Sequence, residues 1–200
     1  MRKFKPCPAD RWMVQAPIIV FDDADIPSAV NGTAFASFIA SGQTCVSGTR
    51  LLVQSSVYDA FVSQFLKKVK SITNRMGDRT YKPSFCYAYS PRALTHKIAM
   101  NPKSAMGSVI SSHHLQRIHG MVVQRSSGKI LIGGEPLNER SSLDGFDFAR
   151  GSFYPPTVIA DVSLDDALWK EEVFGPVVVL NKFEVRAECS TSTTLLPTYL

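Results

Sequence analysis

Apolar and polar positions along this 200-residue chain fall into two periods, one of strands and one of helices. Pro17-Ile-Ile-Val-Phe21 is a continuous apolar run that stops at Asp22-Asp23-Ala24-Asp25, as a strand covered on both faces stops before a helix begins. Asp25 is placed to cap that helix, and Pro27 suits its first turn. Val30, Ala34, Phe38 and Ser41 then recur at helical spacing, which predicts a tightly packed helix from Pro27 to about Ser41, closed by Gly42. Arg50-Leu-Leu-Val-Gln54 reads as a second short strand. Behind it Ser55 and Ser56 offer a cap, and Tyr58, Phe61, Val62, Phe65, Val69 and Ile72 mark the clearest amphipathic helix in the chain. A third helix is expected from Ser112 to Arg125, with strands over Lys129–Ile132 and Thr157–Val162. After the Gly175-Pro176 turn a last strand is expected over Val177–Phe183. Strands alternating with helices predict an α/β fold with a largely parallel sheet flanked by helices.

Two stretches break the pattern. Arg79 to Met100 carries Pro83, Pro91, four aromatics and mixed charges without a sustained period, and Val185 to Leu200 is Ser/Thr-rich and reads as loop or disorder. Neither is expected in the sheet. With 44% hydrophobic and 20% charged residues the composition is that of an ordinary globular domain. No apolar run approaches the roughly 18 residues that span a bilayer, and Met1-Arg-Lys-Phe-Lys-Pro6 leads into no signal core, so neither a membrane nor secretion is expected. Cys7, Cys45, Cys86 and Cys189 are scattered with no C-x-x-C pair, which predicts neither a metal site nor a disulfide framework and suits a reducing, cytoplasmic setting. The net charge of +5 raises nucleic acid as a partner, but the basic residues are dispersed. Only Lys67, Lys68 and Lys70 cluster, on an amphipathic helix where solvated lysine is the ordinary outcome, so no nucleic-acid partner is expected.

Two segments could carry chemistry. Cys45 sits in Ser41-Gly-Gln-Thr-Cys-Val-Ser-Gly-Thr-Arg50, between a helix end and a strand start. Glycines there let substrate and backbone approach closely, and a thiolate attacking a carbonyl needs backbone N–H groups to hold the developing oxyanion. A lone cysteine is also commonly a small buried hydrophobe, so this segment alone leaves both readings open. If catalytic, its sulfur is expected near the carboxyl edge of the sheet. The second segment is Lys170-Glu-Glu-Val-Phe-Gly-Pro-Val177. Its acidic pair is either solvated charge or a carboxylate that grips ribose hydroxyls beside an aromatic packed on a cofactor ring, and composition does not choose.

In order along the chain, Ala16-Pro-Ile-Ile-Val-Phe-Asp-Asp-Ala-Asp25, the Cys45 segment, Met106-Gly107, Gly151-Ser-Phe-Tyr-Pro-Pro-Thr157 and Lys170-Glu-Glu-Val-Phe-Gly-Pro176 closely resemble the catalytic half of the NAD(P)-dependent aldehyde dehydrogenase superfamily. The resemblance covers about Ala16 to Asp78 and Ala105 to Phe183, and the Gly-Gln-x-Cys and Glu-Glu-x-Phe-Gly-Pro pair is its most specific part. It implies that Cys45 is the nucleophile, forming a thiohemiacetal with a small-molecule aldehyde and then a thioester that water hydrolyses. It implies that Glu172 holds the nicotinamide ribose of NAD or NADP and that Phe174 lies beside the nicotinamide.

The resemblance also locates departures. Counting back from Pro17 places Arg11 where the family carries its general-base glutamate. A guanidinium stays protonated and cannot accept a proton, and Asp10 would serve only if the turn were rebuilt. No glycine-rich turn after a strand provides a dinucleotide site, so little NAD(P) binding by this chain alone is expected. The expected organisation is a non-matching segment 1–15, a partial catalytic domain 16–183 with a non-family insertion at about 79–104, and a non-matching tail 184–200. A truncated or mis-spliced reading frame is the expected source of these departures. Three activities remain in view: part of an aldehyde-oxidising enzyme, a non-catalytic fragment that binds a full-length homologue through a sheet edge, and a cofactor-independent thiol esterase.

Overall fold

The structure, a computed structural model, describes residues 17–73, 76 and 104–185. Five strands form one sheet: β1 (Pro17–Val20), β2 (Arg50–Gln54), β3 (Lys129–Ile132), β4 (Thr157–Ala160) and β5 (Val177–Phe183), in the spatial order β1-β2-β5-β4-β3. The first four in that order run parallel, and β3 closes the far edge antiparallel to β4. The helices are α1 (Ile26–Phe38), α2 (Ser55–Thr73), α3 (Ser112–Gln124) and the short α4 (Ala167–Lys170).

The strands alternate their side chains between two apolar layers. Leu51, Val53, Val158, Ala160, Val178 and Leu180 point to one face, where Val30, Phe38, Phe61 and Phe65 of α1 and α2 cover them. Leu52, Ile159, Val177 and Val179 point to the other, under Ile118 and Val122 of α3 and Leu168 and Trp169 of α4. Burial on both faces is why β2, β4 and β5 read as continuous apolar runs rather than alternating ones.

Local chemistry sets most element ends. The Asp25 carboxylate accepts from the Ser28 amide at 3.0 Å and caps α1, and Ser111 caps α3 by accepting from the His114 amide at 3.1 Å. Asp166 starts α4 and ties it to the turn before β3: its carboxylate accepts from the amides of Leu168, Ser126 and Ser127 and from the hydroxyls of both serines. Burial pushes that carboxyl upward, but these hydrogen bonds outweigh burial and hold it below its ordinary range.

Three expectations need correction. The first helix ends at Phe38, and a tight turn over Ile39–Gly42 follows with Ala40 and Ser41 in the left-handed region (φ 50° and 57°). The strand from Thr157 stops at Ala160, where Asp161 turns left-handed (φ 58°). The third helix ends at Gln124, with Arg125 as its cap. Residues 77–103, which include nearly all of the expected insertion, lie outside the described residues, as do Asp10, Arg11, Cys7, Cys86, Cys189 and the tail from 186. The flanks of that interval are close together: Met76 pairs with Met106 in an isolated parallel bridge, and the Ser141 hydroxyl donates to Met76 O at 2.5 Å.

Candidate active site

Cys45 lies in the connection from α1 to β2. That connection is tied down on both sides of the thiol. The Ser47 amide donates to Thr44 O at 3.0 Å, and the Thr44 and Ser47 hydroxyls are hydrogen-bonded at 2.9 Å. The Gly48 amide donates to Ala36 O at 3.2 Å, while Ser37 Oγ, fully buried, donates to Gly48 O at 2.7 Å. Upstream, Gln43 Oε1 accepts from the Ile110 amide at 3.0 Å, and Ser41 Oγ donates to Gly107 O at 3.2 Å. Between these anchors Cys45 is exposed and unbridged, and its own amide donates to nothing among the described residues.

Gly42 joins this loop to the second segment. It has φ +68°, and a Cβ built on it would stand 2.2 Å from Gly175 O and 2.9 Å from Pro176 N, so only glycine fits against the Gly175-Pro176 turn. Gly175 in turn would place a Cβ 2.5 Å from Ile118 Cδ1, which lets α3 close over the same turn. The Cys45 loop and the Glu172–Phe174 segment are therefore packed backbone to backbone.

Helix α3 fixes that segment by its carbonyls. Arg117 Nη1 donates to Val173 O at 2.7 Å and Nη2 to Glu172 O at 3.0 Å. His114 Nε2 lies 2.6 Å from Phe174 O and must donate, since a carbonyl only accepts. Phe174 is held left-handed at φ 54°, with its ring edge-on to His114 at 6.2 Å between centroids. The half-buried Glu172 carboxylate accepts no hydrogen bond among the described residues. Burial raises its pKa, and the charges of Arg117 and Arg50 oppose that rise.

The sheet places all of this opposite to the expected edge. Cys45 precedes β2 and Gly175 precedes β5, and these strands are parallel neighbours, so both loops sit at the amino ends of the strands. The cause is connectivity: a crossover leaves β1 at its carboxyl end, runs back through α1, and delivers its second loop to the amino end of β2. Pattern reading singled out Cys45, Glu172 and Phe174 but passed over His114, Arg117 and Arg50. The i, i+3 spacing of His114 and Arg117, one residue before the core position Ile118, was the available signal. Among the described residues no group of three His, Cys, Asp or Glu could hold a metal, and no helix is long and apolar enough to cross a membrane.

Comparison with known proteins shows what the chain and its fold are similar to. The aldehyde dehydrogenase family matches residues 13–192. The chain is 35% identical over 175 residues to the mitochondrial succinate-semialdehyde dehydrogenase of Oryza sativa subsp. japonica, covering 86% of this chain and 27% of that protein. It is 32% identical over 171 residues to the betaine aldehyde dehydrogenase of Mesorhizobium japonicum, covering 85% and 30%. Among solved structures, HpcC of Thermus thermophilus superposes with a TM-score of 0.73 at 29% identity, over 89% of this chain and 30% of that one. Betaine aldehyde dehydrogenase of Staphylococcus aureus, solved with NAD+, superposes with a TM-score of 0.72 at 30% identity, over 90% and 30%. The chain thus spans roughly three-tenths of the length of the relatives it matches, and with nine-tenths of its residues inside the family match it belongs to the aldehyde dehydrogenase family.

Proposed function

We propose that these residues carry the covalent half of an NAD(P)-dependent oxidation of an aldehyde to a carboxylic acid, with Cys45 as nucleophile. The observation that carries the reading is the Gly42–Gly175 contact, which packs the thiol loop against the Glu172–Phe174 turn. The Cys45 thiolate adds to the aldehyde carbon, and the carbonyl π electrons become an oxyanion. The Cys45 amide, which donates to nothing among the described residues, is available to hold that charge. The residues present fit a nicotinamide cofactor: the Glu172 carboxylate offers two uncommitted acceptor oxygens to a pair of ribose hydroxyls, and Phe174 offers a partly exposed ring. When bound, NAD(P) would take the hydride from the thiohemiacetal carbon and leave a thioester on Cys45.

Hydrolysis of that thioester needs water with its proton removed. Arg11 stands at the position of the family's base and cannot accept a proton, so the acyl group is expected to leave slowly. Glu172 and Phe174 provide contacts only at the nicotinamide end, so NAD(P) binding by these 200 residues alone is weak. The substrate is an aldehyde, the class that the relatives' names carry, and the cytoplasm is the proposed site of action. A second reading, association with a longer homologue, is favoured by β1, which forms one edge of the sheet with Ile19 partly exposed. The test is incubation of the purified chain and its Cys45→Ser variant with NAD and an aldehyde, and separately with an activated ester. Cys45-dependent acylation without steady turnover supports the proposal. Equal reaction of both proteins contradicts it, and sustained ester turnover alone selects a thiol esterase.

A further inference from the structure

Helix α1 is only partly used by the core. Val30, Ala34 and Phe38 are buried in it, but Phe35 is 68% exposed. One exposed aromatic is ordinary on a surface, yet Phe35 stands on the wall of a pocket of about 400 Å³ between α1, the last turns of α2 and residues 105–107. Phe38, Ile39, Ile72 of α2 and Met106 share that wall, whereas Cys45, Glu172 and Phe174 do not line it. Small-molecule sites occupy about 300–1,000 Å³ and combine a mostly apolar lining with a few polar groups, and this pocket has both properties.

The polar groups on the wall narrow the ligand. The Asn31 side-chain amide donates to Pro27 O at 3.0 Å and Ser41 Oγ donates to Gly107 O at 3.2 Å, so both are spent inside the protein. Lys68 is the one charged side chain among the lining residues. It is half-buried, and its ammonium has neither an ion pair nor a hydrogen bond among the described residues. A lysine stem adds apolar surface to such a wall while its charged end stays near water. No acidic residue lines the pocket to answer that charge. An apolar cavity with one uncommitted cation suits a ligand that is apolar along its length and anionic at one end.

We infer that this pocket binds an aliphatic monocarboxylate, with its chain against Phe35, Phe38, Ile72 and Met106 and its carboxylate on Lys68. A neutral alkyl ligand leaves the ammonium without a partner, and a cationic one meets a like charge, so Lys68 sets the selectivity. Such an anion is the class of compound that oxidation of an aliphatic aldehyde yields. That link rests on the proposed function, whereas the binding itself does not.

The experiment titrates octanoate, octanol and octylammonium into the full chain by calorimetry. Octanoate is expected to bind about tenfold tighter than octylammonium, the effect of one charge-assisted hydrogen bond. Each methylene removed between octanoate and hexanoate should weaken binding up to about fourfold. Lys68→Glu, at a half-buried position, should invert the preference so that octylammonium binds better than octanoate, and should leave octanol unchanged. Ala105→Phe, on the third wall, should weaken all three ligands. Cys45→Ser should bind octanoate as the parent does, so the pocket and the thiol chemistry fail separately. A preference unchanged by Lys68→Glu, equal binding of the three ligands, or no binding of octanoate by the parent would overturn the inference. In the last case, sedimentation of the parent as a dimer would give the groove to a second copy of the chain.

Discussion

Gly42→Ala tests how the two halves of the site are joined. Gly42 has φ +68°, a region that costs an L-residue about 1–2 kcal/mol. Its added methyl would also meet Gly175 O at 2.2 Å, Gly175 C at 2.5 Å and Pro176 N at 2.9 Å. All three atoms are backbone, so no rotamer change relieves the clash, and overpacking of this kind costs about 1–3 kcal/mol. Together the substitution is expected to destabilise by about 2–5 kcal/mol, a large part of a typical domain's stability. The assay is urea unfolding, read as a lower midpoint at unchanged slope, with the alkylation rate of Cys45 measured beside it. Gly32→Ala is the control: it lies inside α1 with nothing within 4 Å of the added Cβ, and removing a helical glycine should raise stability by about 0.5–1 kcal/mol. A Gly42→Ala protein within about 0.5 kcal/mol of the parent and with unchanged Cys45 reactivity would refute the interlock.

Asp166→Asn removes a buried carboxylate that accepts five hydrogen bonds, and should cost about 1.5–3 kcal/mol in urea unfolding. Its folded pKa is held low, so its contribution is present above the unfolded value near 4 and disappears as pH falls through the folded one; the variant should show a shallower loss of stability with acid. Arg117→Met keeps the stem but drops both carbonyl contacts, and at this partly exposed site should cost about 1–2 kcal/mol and speed hydrogen exchange at Val177, whose amide donates to Gly175 O at 2.8 Å; unchanged exchange would contradict the clamp. Phe65→Ala, at a fully buried position stacked between Phe38 and Phe61, should cost about 3–5 kcal/mol by thermal or urea unfolding. Iodoacetamide should label Cys45 before the other cysteines in folded protein; Cys7, Cys86 and Cys189 all reacting faster would count against an activated thiol.

Sequence periodicity located β2, β3 and β5 to the residue because each is an apolar run bounded by turn chemistry: Gly48-Thr49 before Arg50, Ser127-Gly128 before Lys129, Gly175-Pro176 before Val177. It overran α1 because Ser41 continues the helical spacing of Val30, Ala34 and Phe38 and because Ala40 is a good helix former. Their left-handed backbone comes from the need to seat Gly42 on Gly175, a contact that spans most of the chain. The antiparallel direction of β3 was equally invisible, since an apolar run has no sense. In the site, Cys45 and the Glu172–Phe174 segment were each ambiguous alone and became legible as a pair through family resemblance. Arg50 read as a strand boundary because nothing in its own segment shows that it packs, buried, beside Trp169.

The most direct test of Cys45 as nucleophile is to place an activated acyl ester on the folded chain, quench within the first turnover, and map the adduct by mass spectrometry. A nucleophilic thiol in the Gly42–Gly175 interlock, with no base at Arg11, predicts one stable acyl group on the Cys45 peptide and none on Cys45→Ser. Acylation spread evenly over Cys7, Cys45, Cys86 and Cys189, or absent from Cys45, would contradict it.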